Sequence, residues 1–460
     1  MTTKYENGLF IFRRDLRVTD NKALNLANEH CSRIYPIFIF TPEQVSNSNQ
    51  FKSNNAVQFM IESLEDLSSQ INKMGGHLTC FYGHNNSIVS YLIKELEIDV
   101  VFFNADYTPY AINRDNQIVG ICEKLNIDFG YGHDYYLHTP GTILNGSGEP
   151  YQKFTPFYTE SSRYAVDKPE KTKKIHFATS NQRLKNVVAL SSALSRFTRE
   201  NEHLLLRGGR THALKQLKEA AKNIRNYAST RDELSKPTSQ LSAYIKFGCV
   251  SIREVYNLFR SKQQFIRQLY WRDFYAHVLF AFPHVLTKAL KPKYDKIKWH
   301  YNASWFKKWC DGETGFPIVD AGMRQLNTTG YMHNRARLIV SSFLVKTLLI
   351  SWQKGAQYFS RNLLDYDPAS NQLNWQWTAS TGPDSQPYFR IFNPFLQTKE
   401  HDPDCEYIEM WVPELTNVDK NIILHWDTEW INNKDINYPK PMCDYAEQKE
   451  KALSMYSKVF

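Results

Sequence analysis

The hydrophobic period of this chain changes once, and that change limits the fold more than any single motif. In the first ~130 residues, the β-rich runs Gly8–Phe12, Ile34–Phe40, Leu78–Tyr82, Val100–Asn104 and Ile127–Tyr131 predict five strands. Helical patterns lie between them. The clearest places Val57, Met60, Ile61, Leu64, Leu67 and Ile71 on one face, and Gly75-Gly76 closes it as a C-terminal cap would. Strand–helix alternation of this kind builds a parallel sheet covered on both faces. Phe12-Arg13-Arg14-Asp15 follows the first strand, where a dinucleotide-binding chain would carry GxGxxG. The expectation is a Rossmann-like α/β domain over residues 1–131 that lacks the dinucleotide fingerprint.

Residues 132–200 lose the pattern. Turn residues between His138 and Pro150 and a basic patch at Lys168–Lys174 predict a long connector that wraps between domains. Past Glu202 the period is helical, with segments at His212–Ile224, Ile252–Phe259, Gln264–Leu279 and Pro317–Leu326. The apolar stretch Leu338–Trp352 contains Lys346 and is too short to span a bilayer, so it reads as a buried helix. An all-α domain is therefore expected over 201–460, and 460 residues exceed what one ordinary core accommodates.

The formal charge of +9 is compatible with a polyanionic partner. Seven scattered cysteines without a CxxC spacing give no zinc or iron–sulfur signature, and reduced intracellular thiols are the simplest reading. The start, MTTKYENGLFIFRRDLR, lacks the pattern of a secretory leader.

Between Asp365 and Pro394 the sequence DYDPASNQLNWQWTASTGPDSQPYFRIFNP sets carboxylates, amides, tryptophans and an arginine where a core would carry Leu and Val. Buried polar groups at that density need partners, since each unpaired one costs about 1–3 kcal/mol. A large, flat, hydrogen-bonding ligand would supply them. Three further clusters share this composition. Thr238-Ser239-Gln240-Leu241-Ser242 suits a phosphate at a helix start, although a plain capping box uses the same residues. Gln268 and Trp271 lie three apart on one helical face, an amide beside a stacking plate. In Tyr331-Met332-His333-Asn334-Arg335-Ala336-Arg337, Arg337 is placed to meet a carboxylate and His333 reads as structural.

The clusters TSQLS, YWRDF, GFPIVDAGMRQL, GYMHNRAR and WQWTASTG…PYFRIFNP, with FIFRRDLRVTDNKAL near the N-terminus, resemble the photolyase/cryptochrome family. Within it, the chain looks most like the class I cyclobutane pyrimidine dimer photolyases. The resemblance implies a helical domain holding U-shaped FAD. Thr238, Ser239, Gln240, Leu241 and Ser242 would line its phosphates, with Tyr227 and Trp271 beside the cofactor. Asp365 and Asp367 would address the isoalloxazine and ribitol, Arg337 would be their charge partner, and Asn371 would lie next to flavin N5. Trp271 and Trp377 would wall a pocket for a flipped dimer, where an extruded base recovers its stacking. Gln268 and Asn334 would contact the damaged bases. Arg231, Arg335 and Arg390 would hold DNA phosphates. Trp375, Trp352 and Trp309 would relay an electron to the flavin; taken singly, each reads as core packing.

The sequence departs from the class I pattern at Gln268, where those enzymes usually have Glu. The (6-4) photolyases carry Gln there, but they place His at the positions of Asn334 and Leu338, and this chain has neither. Thr108 stands where folate-binding members tend to have Glu, so a folate, a deazaflavin, a flavin or no antenna at all remains open. The implied function is light-driven dimer repair, with a cryptochrome-like photoreceptor as the alternative. The implied partner is UV-damaged DNA, with no metal and no membrane, for a monomer located wherever the DNA is.

Overall fold

The computed structural model describes residues 4–171, 174–178 and 183–460; Thr172 and Lys173 of the basic patch lie outside them. The strands are β1 (Tyr5–Phe12), β2 (Cys31–Phe40), β3 (Thr79–Tyr82), β4 (Val100–Asn104) and β5 (Asp128–Gly132). All four pairings are parallel, in the order β3-β2-β1-β4-β5.

Because side chains alternate across a strand, the two faces have separate cores. Leu9, Ile11, Ile37, Ile39, Val101 and Phe103 face one layer of helices. Phe10, Phe12, Phe38, Phe40 and Phe102 face the other, where the helix Asn54–Lys73 packs. That helix ends at Met74–Gly75, with Gly75 at φ 81. Strand order reverses between β2-β1 and β4-β5, which opens a crevice at the carboxyl ends of β1 and β4.

The second core does not stop at the sheet. It continues through Tyr244, Val255, Phe265, Phe274 and Val278 to Leu373 in the helical half. The stretch between the halves carries two short helices, Phe154–Ser161 and Leu190–Phe197, and the first packs on the helix Gln263–Ala281.

A buried ion network crosses the same boundary. Arg253, from the helix Ile252–Phe259, donates to Asp20 at 3.0 Å and to Asp134 at 2.6 Å. Arg17 donates to the other oxygen of Asp134 at 2.6 Å, and all four side chains are at most 4% exposed.

The apolar run 338–352 is not one helix, contrary to expectation. Asn334–Ser342 is α-helical, Phe343–Thr347 widens to a π-helix, and Leu349 takes a left-handed φ of 56°. A new helix starts at Trp352. The widened turn places Lys346 inside the protein, where its ammonium donates to the Arg390 carbonyl at 2.9 Å. Among the described residues, no helix is long and apolar enough to cross a membrane.

Candidate cofactor and substrate site

The helices Gln263–Ala281, Asn334–Ser342 and Pro368–Thr378 and the irregular stretch before Ser242 line a pocket of about 520 Å³. That is within the range of sites for large organic ligands. Tyr227, Arg231 and all five residues of Thr238–Ser242 line it. So do Gln268, Trp271, Asn334, Arg335 and Arg337, with Asp365, Asp367 and Trp377.

The Thr238–Leu241 backbone is not helical. Gln240 has φ 52, and the helix that follows, Ser242–Lys246, is only five residues long with no side-chain cap. The Ser239 hydroxyl accepts from Leu241 N at 3.4 Å, so the capping-box reading of this segment fails.

Asp365 anchors one wall. Its Oδ2 accepts from the Ser242 hydroxyl at 2.6 Å and from Arg337 Nη2 at 2.9 Å, while its Oδ1 is buried without a protein partner. An orphaned buried carboxylate oxygen facing a pocket calls for a donor on a ligand. Arg337 is fixed in turn by its Nε–H, which donates to the Met332 carbonyl at 2.9 Å.

Asp367 belongs to a different group of charges. It caps the helix Pro368–Thr378 by accepting from Ser370 N at 3.0 Å, and it pairs with Arg14 at 3.1 Å. The same guanidinium reaches Asp106 at 2.7 Å. Burial pushes the Asp367 pKa up, but Arg14, Lys246 and Arg272 outweigh it and bring it down to about 2. Lys246, lowered to about 8 by burial and by Arg14, lines this pocket and a second one described below.

At the mouth, the Trp271 ring stacks on Phe154 at 3.9 Å and 7°, which fixes it as a rigid plate. Gln268 sits one turn before it, and Trp377 rises from the facing helix. Tyr275 joins the two helices by donating to Asn374 Oδ1 at 3.3 Å. Arg335 holds Asp232 at 2.8 Å and Arg231 lies 3.5 Å from the same carboxylate. Two cations sharing one carboxylate leave a net positive rim. His333 accepts from Arg335 N at 3.1 Å and caps its helix; burial pushes its pKa down to about 4. It is structural, as expected.

The remaining site residues lie elsewhere. Asn371 and Trp375 line an adjoining cavity of about 90 Å³, with the Asn371 amide donating to the Ala356 carbonyl at 3.0 Å. Arg390 is exposed and outside the pocket lining, its guanidinium 5.8 Å from the Phe392 ring centre. Trp375 and Trp352 are each 2% exposed. Gly355 makes room for Trp375: a Cβ there would lie 2.1 Å from the indole. Gly355→Ala is expected to cost about 1–3 kcal/mol through overpacking, read as a lower urea midpoint.

Trp309 does not suit the outer end of a relay. It is 0% exposed, meets Trp375 edge-on at 6.1 Å, and donates to the Val340 carbonyl at 3.0 Å. An electron exit must reach solvent. Trp299 does: it is half-buried, packs against the cluster containing Trp352, and His300 N donates to the Leu349 carbonyl at 2.9 Å.

Sequence reasoning missed Trp299, Lys246, Asp232, Arg272 and Arg14. Lys246 carried a signal, since it lies one turn after Ser242, and Arg14 stands in the FRRDLR motif. The partner of Asp232 comes from a distant helix and left no local trace.

A second pocket, of about 480 Å³, sits in the sheet crevice. Phe12, Arg13 and Arg14 line it from the end of β1, with Thr41 after β2 and Asp106 and Thr108 after β4. Lys246, Tyr366 and Gln372 close it from the helical half.

Residues 9–174 match the DNA photolyase family, and residues 265–458 match the FAD binding domain of DNA photolyase. A deoxyribodipyrimidine photo-lyase of Halobacterium salinarum is 33% identical over 98% of both chains. The chain belongs to the DNA photolyase family. Its helical half is accordingly a photolyase-type FAD-binding domain.

A solved archaeal photolyase of Sulfolobus tokodaii, described with two FAD molecules that imply a novel light-harvesting cofactor, is 39% identical. It covers 98% of this chain and all of its own, with a TM-score of 0.89. A Synechocystis cryptochrome superposes with the same TM-score at 25% identity, covering 99% of this photolyase-family chain and all of its own.

Proposed function

We propose that this protein repairs cyclobutane pyrimidine dimers in DNA, using light and FAD held in the 520 Å³ pocket. The observation that carries the reading is the layout of that one pocket. It has a carboxylate with an orphaned oxygen inside and a rigid aromatic plate at a mouth rimmed with arginines. The naming of near-full-length relatives as deoxyribodipyrimidine photo-lyases supports it.

FAD, when bound and reduced, supplies the light-driven electron that opens the cyclobutane ring. The chain's own residues hold and orient. Asp365 Oδ1 would accept from the cofactor while Arg337 and Ser242 hold the carboxylate in place through Oδ2. The Thr238–Ser242 hydroxyls and backbone, with the buried Lys246, would take the phosphates. Trp271 and Trp377 would stack the extruded bases, and Gln268 and Asn334 would hydrogen-bond their edges. Arg231 and Arg335 would position the strand, with Arg390 reaching DNA from outside the pocket. Trp375, Trp352 and Trp299 would connect the site to solvent for electron supply. The crevice pocket would house a second chromophore; the two FAD molecules of the archaeal relative favour a flavin.

The test is to purify the protein, record its absorption and illuminate it with thymine-dimer DNA. A colourless preparation overturns the flavin assignment. A yellow one that never restores the DNA favours a photoreceptor, the reading the cryptochrome neighbour supports. Gln268→Glu is expected to raise the dimer repair yield, because a carboxyl group can both donate a proton and carry charge at the dimer. A lower yield would show that the amide is the better partner here.

A further inference from the structure

On the far side of Trp299 lies a cleft of about 1360 Å³ that the proposed function leaves unused. It is formed by the segment 293–305, the turn at Leu348–Leu349 and the C-terminal helix Tyr445–Ser457. Five lysines line it, Lys293, Lys296, Lys298, Lys451 and Lys458, against one carboxylate, Glu450. Lys451 is paired with Glu447 at 2.6 Å. Among the described residues, Lys293, Lys296, Lys298 and Lys458 have no carboxylate within ion-pair distance. Like charges converging in a concave site focus a positive potential that an anion relieves.

Aromatic rings stand between the lysines. Tyr301 is 62% exposed, and Trp299 and Trp305 are half-buried in the cleft wall. Lys354 lies over the Tyr301 ring at 5.2 Å and Lys293 over the Tyr294 ring at 4.8 Å, so cations and rings already alternate along this wall. Lysines without a carboxylate partner beside partly exposed rings suit phosphorylated aromatic molecules, by charge on the phosphates and stacking on the ring. Concavity favours a small ligand over a protein surface. The position supplies the chemistry, because this cleft is where the tryptophan row meets solvent.

We propose that the cleft binds a reduced nicotinamide dinucleotide and that Trp299 accepts its electrons. The electron half rests on the relay reading above; the binding half does not. The dihydronicotinamide gives one electron to a Trp299 indole left one electron short, and a proton passes from the ring to water. Its second electron fills the next such hole, leaving the oxidised nicotinamide. The oxidant that draws electrons from Trp299 is a light-excited oxidised flavin.

The test titrates flavin-loaded protein with NADPH in the dark by calorimetry, beside inorganic pyrophosphate and undamaged duplex DNA. Lys296→Glu/Lys298→Glu is expected to weaken NADPH at least about 10-fold, because two phosphate-facing cations become carboxylates that repel the ligand. Tyr301→Ala is expected to weaken NADPH and leave pyrophosphate unchanged. No binding at millimolar NADPH, or binding indifferent to the charge reversal, overturns the proposal. So does a charge reversal that weakens duplex DNA alone, which would mark a nucleic-acid face. In light, NADPH-dependent bleaching of the flavin band is expected to be lost in Trp299→Phe; bleaching that persists overturns the electron route. Dimer DNA left unrepaired while both readouts hold would count against the proposed function and not against this site.

Discussion

Trp375→Phe is expected to abolish light-driven reduction of the bound flavin while dimer repair by chemically pre-reduced enzyme stays near that of the unaltered protein. The indole lines the cavity beside the main pocket and is 2% exposed, which suits the inner step of the proposed relay. Two companion variants decide the path outward. Trp299→Phe is expected to block reduction as well, because the half-buried Trp299 would be the outer end of the proposed relay. Trp309→Phe is expected to leave reduction largely intact, since Trp309 is enclosed and hydrogen-bonded to Val340. The measurement is flavin absorbance under blue light with an external reductant. A block by Trp309→Phe and none by Trp299→Phe would keep Trp309 in the relay and remove Trp299 from it.

Arg253→Met is expected to cost about 3–5 kcal/mol of stability, the usual loss when one partner is removed from a buried ion pair. Asp20 would lose its cation, and Asp134 would keep only Arg17. On a total stability of about 5–15 kcal/mol that is a large fraction, and a urea titration reads it as a lower midpoint. Adding Asp20→Leu is expected to recover part of the loss, because an apolar replacement leaves no buried charge unpaired. If the double variant were no better than Arg253→Met, lost packing and not charge would be the cause. The pH dependence has a definite sign. Burial raises the Asp134 pKa, but Arg17 and Arg253 outweigh it and hold it below its ordinary 3.8. Its contribution is therefore present above pH ~4 and is lost as the pH falls through the lower folded value.

The alternating period made the sheet legible because both faces of each strand are buried, so every run is apolar and bounded by turns. The helical half was legible for the same local reason, down to the limits of Ile252–Phe259. What escaped was set by distant contacts. An apolar run does not reveal that Phe343–Thr347 widens and Leu349 turns left-handed, since either path buries the same side chains. Trp299 and Trp309 lie ten positions apart in similar company, and only packing makes one half-exposed and the other enclosed. Asp367 was seen as a cofactor residue, yet its charge partner, Arg14, is 353 positions away.

The core that runs unbroken from Phe10 through the sheet to Leu373 has a consequence for ancestry. Two modules with separate interiors can be traded between genes, because each brings its own stability. Here the even-numbered side chains of β1 and β2 share one interior with the helices beyond Glu202. A chimera joining this N-terminal half to a relative's C-terminal half would set mismatched shapes against each other across that interior. At 33% identity to a relative matched end to end, exchange of one half alone is expected to cost stability, which favours inheritance of the two halves together.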